Sequence, residues 1–213
     1  MLQMKNVLFV GAHFDDTELG GGGTAAKLAE EGANVYKMTL TDNVTDYEAR
    51  GIHVEYESSK KESARACEIL GIREITDFTP APCTELIYSK EMMQLIEGYI
   101  DRYSIDTVFM HFNADMNTDH VAASRLCLTA ARHCPNILQF QSNGYVLENV
   151  YYPVYFVDIS AQIEKKKAAL SCYGKEHNRF DSLFETNIAR NQVWGFSNKT
   201  KYAEGFNIIK LLA

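Results

Sequence analysis

Two short stretches of this 213-residue chain concentrate side chains that can bind a metal or move a proton. The first, Ala12-His13-Phe14-Asp15-Asp16-Thr17-Glu18, sets an imidazole beside three carboxylates. The second, Met110 to Ser124, carries His111, Asp115, Asn117, Asp119 and His120. A catalytic zinc takes three protein ligands from His, Asp, Glu or Cys and keeps one position open for water. His13 and Asp16, three residues apart on a turn, can bring an imidazole and a carboxylate to one ion. Asp15, between them, is then placed to face the bound water as a general base. His120 can supply the third ligand if both stretches open onto one crevice. A set of two histidines and one carboxylate also suits iron. Taken singly, each stretch has a plainer account, because Asp and Asn are favoured at turns and helix N-caps, and Asp119 is placed to cap the helix that follows it. Two such stretches, holding three histidines and several carboxylates between them, favour the metal.

The elements that must position these residues follow from hydrophobic patterning. Residues Asn6–Gly11 read as a buried parallel strand, Gly22–Glu31 as a helix stopped by Gly32, and Asn34–Leu40 as a second strand. Residues 41–58 show little periodicity and read as a loop, followed by a helix over 60–71 with Ala64, Cys67 and Leu70 on one face. Residues 76–86 read as irregular, 90–103 as an amphipathic helix and 106–111 as a strand ending on His111. A helix over 119–133, strands over 136–142 and 154–160 and a helix over 161–174 complete the pattern. The Lys165–Lys167 run on that last helix reads as a solvated face. Alternating strands and helices without a linker predict an α/β fold, Rossmann-like, with a mostly parallel sheet flanked by helices and one domain over residues 1–213. Both chemical stretches fall just after the C-terminal end of a strand, where open α/β sheets place their sites.

The four glycines Gly20 to Gly23 raise a competing possibility, a dinucleotide-binding turn. That fingerprint needs its glycines in the strand-to-helix turn, with a pyrophosphate over the helix N-terminus. Here the turn is Ala12 to Leu19, and a phosphate would sit among three carboxylates. The glycines are better explained as packing residues that let a helix begin close behind the turn.

A formal net charge of −7 argues against nucleic acid or an anionic membrane as partner and for a small molecule. Cys67, Cys83, Cys127, Cys134 and Cys172 are scattered and odd in number, which predicts free thiols rather than disulfides or a cysteine zinc site. No apolar run is long enough to span a bilayer and no secretory leader is evident, so the expected location is cytoplasmic.

The residues quoted so far resemble the LmbE-like, or PIG-L, superfamily of zinc-dependent N-deacetylases. Its first motif, Ala-His-Pro-Asp-Asp-x-Glu before a glycine-rich helix start, is matched from Ala12 to Thr24 apart from Phe14 in place of proline. Its second motif is matched by His111, Asp115, Asn117, Asp119 and His120, and Lys201-Tyr202-Ala203-Glu204-Gly205-Phe206 looks like its terminal segment. The resemblance implies that His13, Asp16 and His120 bind Zn2+, that metal-bound water is the nucleophile and that Asp15 is the base. Asn117 stands where many members have a histidine, and an asparagine can donate to an oxyanion but cannot carry a proton. Asp15 is then expected to return the proton to the leaving amine, unless His111 does. Asp115 and Asp119 are expected to orient ligand histidines.

The implied substrate is a small N-acylated amino sugar. Asp42, Asn43 and Arg132 are candidate substrate contacts, although an Asp-Asn turn and a favourable charge at a helix C-terminus explain them equally well. Two alternatives stand beside this one, a metal-dependent amidohydrolase of a non-sugar N-acyl compound and a non-catalytic metal- or ligand-binding protein. The resemblance also makes a homo-oligomer an open expectation.

Overall fold

The computed structural model describes residues 4–145, 149–173 and 183–212. The chain runs through β1 (Asn6–Gly11), α1 (Asp16–Glu30), β2 (Asn34–Thr39), β3 (Thr45–Tyr47), β4 (Ile52–Val54), α2 (Tyr56–Leu70), β5 (Arg73–Ile75) and α3 (Lys90–Arg102). It continues through β6 (Thr107–His111), α4 (Thr118–Ala130), β7 (Asn136–Phe140), β8 (Tyr155–Asp158), α5 (Ile163–Leu170), α6 (Glu185–Ser197) and β9 (Ala203–Lys210). Seven strands form one sheet in the order β5-β2-β1-β6-β7-β9-β8. The first five are parallel, and β9 joins antiparallel to both β7 and β8.

Strand order decides where a site can form. From β1 the chain winds outwards to β2 and β5, then crosses back to lay β6 on the other side of β1. That reversal opens a crevice at the C-terminal ends of β1 and β6, because the connections leaving the two strands turn away from each other. Alternate residues of β1 supply both cores. Val7 and Phe9 pack with Leu19, Cys67, Leu70 and Leu170 under α1, α2 and α5. Leu8 and Val10 pack with Ile96, Leu126 and Ile137 on the face covered by α3 and α4.

Several local expectations are corrected. α1 begins at Asp16, ahead of the glycines, and continues across a kink at Gly21 (φ −154°, ψ 20°), so Gly20 and Gly21, expected before the helix, lie within it. A Cβ on Gly20 would strike the Phe140 ring, and one on Gly23 would come 2.7 Å from Ile159 Cδ1. These glycines therefore allow α1 to press against β7 and the segment before α5. Residues 41–58 are not one loop, because β3 and β4 pair as a small antiparallel hairpin and α2 starts at Tyr56. The buried stripe of α2 is Ser59, Glu62, Ser63, Ala66, Cys67 and Leu70, whereas Ala64 faces solvent. β5, α6 and β9 were not foreseen.

The largest correction is Lys166. It is fully buried, with Nζ 2.6 Å from Glu204 Oε1 and 2.9 Å from the Leu19 carbonyl. Its neighbours Lys165 and Lys167 do reach the surface, pairing with Glu30 and Glu164. Successive residues on a helix point about 100° apart, so the middle of a three-lysine run can face inwards. All five cysteines are free. No described helix is long and apolar enough to cross a membrane.

Candidate active site

The turn from β1 into α1 is closed by the His13 amide donating to Asp16 Oδ2 at 2.7 Å, with Asp15 at the helix N-cap. Without a proline ring to fix it, the turn is held from behind. Lys37, fully buried in β2, donates to the Phe14 carbonyl, to both Glu18 oxygens at 2.8 and 3.0 Å, to Ser63 Oγ and to Tyr173 Oη. The turn from β6 into α4 is organised by its own side chains. Asn117 Oδ1 accepts from the Asp119 amide and Asp115 Oδ1 from the Asn117 amide, each at 2.9 Å. The cap of α4 is thus Asn117, not Asp119.

The two turns bring His13, Asp16 and His120 together. His13 Nδ1 lies 3.1 Å from His120 Nε2 and 3.4 Å from Asp16 Oδ2, and His120 Nε2 lies 3.3 Å from Asp16 Oδ1. One ligand atom from each residue fits within 4.8 Å of the others. The remaining nitrogen of each histidine meets a carboxylate, His120 Nδ1 at 3.1 Å from Asp115 Oδ2 and His13 Nε2 at 3.2 Å from Asp119 Oδ2. A carboxylate on the far nitrogen places the proton there and leaves the near nitrogen's lone pair facing the cluster. Asp119 is anchored in turn by the amides of Thr84 at 2.7 Å and Leu86 at 3.2 Å. This donor set, two imidazoles and a carboxylate with carboxylates behind the imidazoles, fits a divalent metal of the zinc or iron kind.

Electrostatics agree with a site that wants a cation. Burial favours the neutral forms of His13 and His120, but the surrounding carboxylates outweigh it: His120 is pushed up to about 9 and His13 is held well above the usual histidine value. Burial likewise works against the Asp16 carboxylate, yet His120 and His111 hold it well below the usual range. His111 differs. Burial and the neighbouring His120 bring it down to about 4, so it is neutral at ordinary pH. It is fully buried, stacked on His120 with ring centroids 4.0 Å apart, and its Nε2 sits 3.0 Å from Asp16 Oδ2.

A cavity of about 190 Å³ opens over the cluster. His13, Asp15, Asp16, Asn117 and His120 line it, while His111 does not and stands behind Asp16. Of the three substrate candidates, Asn43 lines the cavity, with φ 60° and Nδ2 donating to Ser59 Oγ. Asp42 does not line it; Oδ1 accepts from the amides of Val44 and Cys83 and so shapes the wall. Arg132 is a correction. It lies beyond the C-terminal end of α4, paired with Glu97 at 2.6 Å, whereas the cavity is at the N-terminal end.

Among the cavity residues missed in the sequence are Cys83, Thr84 and Asn143, whose Nδ2 is 3.4 Å from His120 Nδ1. None stands in a recognisable motif. Lys37 did leave a signal, since a lysine inside an otherwise apolar central strand must find a buried partner.

The family model described as PIG-L, GlcNAc-PI de-N-acetylase, matches residues 8–131, a span that includes both turns. The chain belongs to the PIG-L family. This PIG-L chain is 32% identical over 227 residues to the diacetylchitobiose deacetylase of Thermococcus kodakarensis, covering 97% of the chain and 84% of that protein. Among solved structures, a conserved protein of Thermus thermophilus superposes with a TM-score of 0.80 at 26% identity, over 100% of this chain and 97% of that one. The 4-carboxy-2-hydroxymuconate hydratase of Pseudomonas putida superposes with a TM-score of 0.83 at 21% identity, over 99% and 98% of the two chains. That last likeness speaks for the fold alone. One PIG-L fold thus carries more than one chemistry, and activity must be argued from the site.

Proposed function

We propose that the chain is a metal-dependent N-deacetylase, with zinc as the metal, acting on the N-acetyl or related N-acyl group of a small amino-sugar derivative. The observation that carries this reading is the convergence of His13, Asp16 and His120 on one point at the floor of the cavity, with Asp15 beside them. The named activity of the Thermococcus relative supports the substrate class. His13 Nδ1, His120 Nε2 and Asp16 would hold the ion. Bound there, zinc would act as a Lewis acid on the acyl oxygen and lower the pKa of a coordinated water towards neutrality.

The chain's own groups do the rest. Asp15 takes a proton from the attacking water on its carboxylate and returns it to the amine as the C–N bond breaks. Asn117 has its Oδ1 committed to capping α4, so what it can offer a ligand is the Nδ2 donor, aimed at the oxyanion. His111, neutral and enclosed, orients Asp16 rather than delivering a proton to the leaving group. Asp115 and Asp119 hold the two histidines in the binding tautomer.

Acetate release from N-acetylated mono- and disaccharides tests the reading. Asp15→Asn is expected to keep the metal and lose about 10²- to 10⁴-fold in rate, the usual contribution of a general base. Metal-loaded protein that hydrolyses no N-acyl sugar would refute the assignment. Release from N-acyl amino acids alone would move the substrate outside the sugars.

A further inference from the structure

We propose that Cys83, His13 Nε2 and Asp119 form a second metal site, distinct from the one at the cavity floor and selective for a soft divalent ion such as zinc or cadmium. Ligand atoms of these three residues lie within 4.8 Å of one another. The His13 ring has two sides: Nδ1 faces Asp16 and His120, and Nε2 faces Asp119 at 3.2 Å. One imidazole therefore belongs to both clusters. The thiol is the distinguishing ligand, because thiolate selects zinc, cadmium or cuprous ions over magnesium and calcium, which prefer oxygen.

The position of Cys83 is built rather than incidental. Its amide donates to Asp42 Oδ1 at 2.9 Å, and the next amide, Thr84, donates to Asp119 at 2.7 Å. The backbone is thus tied on both sides of the thiol, which lies 3.8 Å from Thr45 Oγ1 on the cavity wall. Cys83 is partly exposed, whereas Cys67, Cys127 and Cys134 are buried. Binding exchanges protons for the ion. The Cys83 thiol and His13 Nε2 each release one to solvent, and the ion takes the place of the Nε2 proton against Asp119. With three protein ligands, the remaining position of a tetrahedral ion faces the cavity. An ion there narrows the entrance and draws on Asp119, the residue that orients His13, so an excess of a soft metal inhibits.

The site is read without substrate, so its failure and that of the deacetylase reading are separable. Protein preloaded with one equivalent of zinc is titrated with cadmium while the ultraviolet thiolate-to-metal charge-transfer absorption is followed. The expected result is a saturable band that disappears in Cys83→Ser and persists in Cys172→Ser, the control for the other partly exposed thiol. Retention of the first zinc equivalent shows that Cys83→Ser is folded. In parallel, the zinc concentration that half-inhibits acetate release is expected to rise at least about tenfold in Cys83→Ser, the lower end of what losing a ligand-supporting group costs. Absence of a thiolate band with excess cadmium, or a band that survives Cys83→Ser, overturns the proposal.

Discussion

Asp16 and Glu18 stand two residues apart on the first turn of α1, both are almost fully buried, and they meet opposite surroundings. Glu18 is closed off by Lys37, which touches both carboxylate oxygens and also ties down the Phe14 carbonyl. Burial raises the Glu18 carboxyl, while the Glu18 charge holds the Lys37 ammonium well above its usual value against the same burial. Asp16 is backed by His111 and faces His13 and His120, whose outer nitrogens are already paired and whose inner nitrogens converge beside it at the cavity. A buried charge closed off by a fixed partner makes structure, and one that shares an open position with other ligand atoms makes a site. Lys166 and Glu204 repeat the first arrangement under the other half of α1, where Glu204 also accepts from the amides of Gly23 and Thr24.

This contrast can be broken by exchanging the two roles. Glu18→Gln leaves the Lys37 charge buried without its partner and is expected to cost about 3–5 kcal/mol in unfolding free energy by denaturant titration. Glu18→Leu with Lys37→Met is expected to recover most of that loss and still bind metal. Loss of metal without loss of stability in Glu18→Gln would place Glu18 with the site instead. Removing a support on the site side should act the other way: Asp115→Asn is expected to weaken metal affinity about 10- to 100-fold in competition with a chelator while leaving stability nearly intact.

A pH series sharpens the same point. In metal-free protein His13 and His120 hold their protons above the ordinary histidine value, so the stability they confer is present below about pH 6.5. It is lost as pH rises through their folded values, about 9 for His120. His111, depressed to about 4, contributes the opposite slope on the acid side. The unfolding free energy of apo protein, followed by denaturant titration, is therefore expected to fall between about pH 6.5 and 9 by an amount on the order of 3 kcal/mol from His120 alone, and metal loading should flatten the slope because the ion replaces those protons. The smallest effect belongs to Arg132→Ala, which lies away from the cavity and should leave acetate release unchanged within about twofold and stability within about 1 kcal/mol.

Much of the candidate site was legible in the chain because its residues cluster at strand ends. His13, Asp15 and Asp16 share one turn, and Asn117 and His120 share another, so their spacing already carried the chemistry. The limits of α1 were harder to read. Glycines weaken helix propensity by about 1 kcal/mol each, and a run of four reads locally as a turn. Contacts with Phe9 at Gly21 and, more than a hundred residues away, with Phe140 at Gly20 and Ile159 at Gly23 leave no room for a Cβ there. Arg132 misled for a related reason: it is close to His120 in sequence, but thirteen helical residues span roughly 20 Å, enough to carry it to the opposite end of α4.

The sequence by itself determined which residue types stand at the ends of β1 and β6, the α/β alternation that creates those ends, and the kind of cation they suit. The tertiary structure alone decided that β6 lies next to β1, which joins two turns a hundred residues apart into one cluster. It also decided that Lys37 and Lys166 are buried, and that Cys83 and Thr84 reach the cavity wall. Strand order and the direction of a side chain on a helix depend on what each element packs against, and the energy of that packing is shared among residues far apart in the chain, so no local stretch records it.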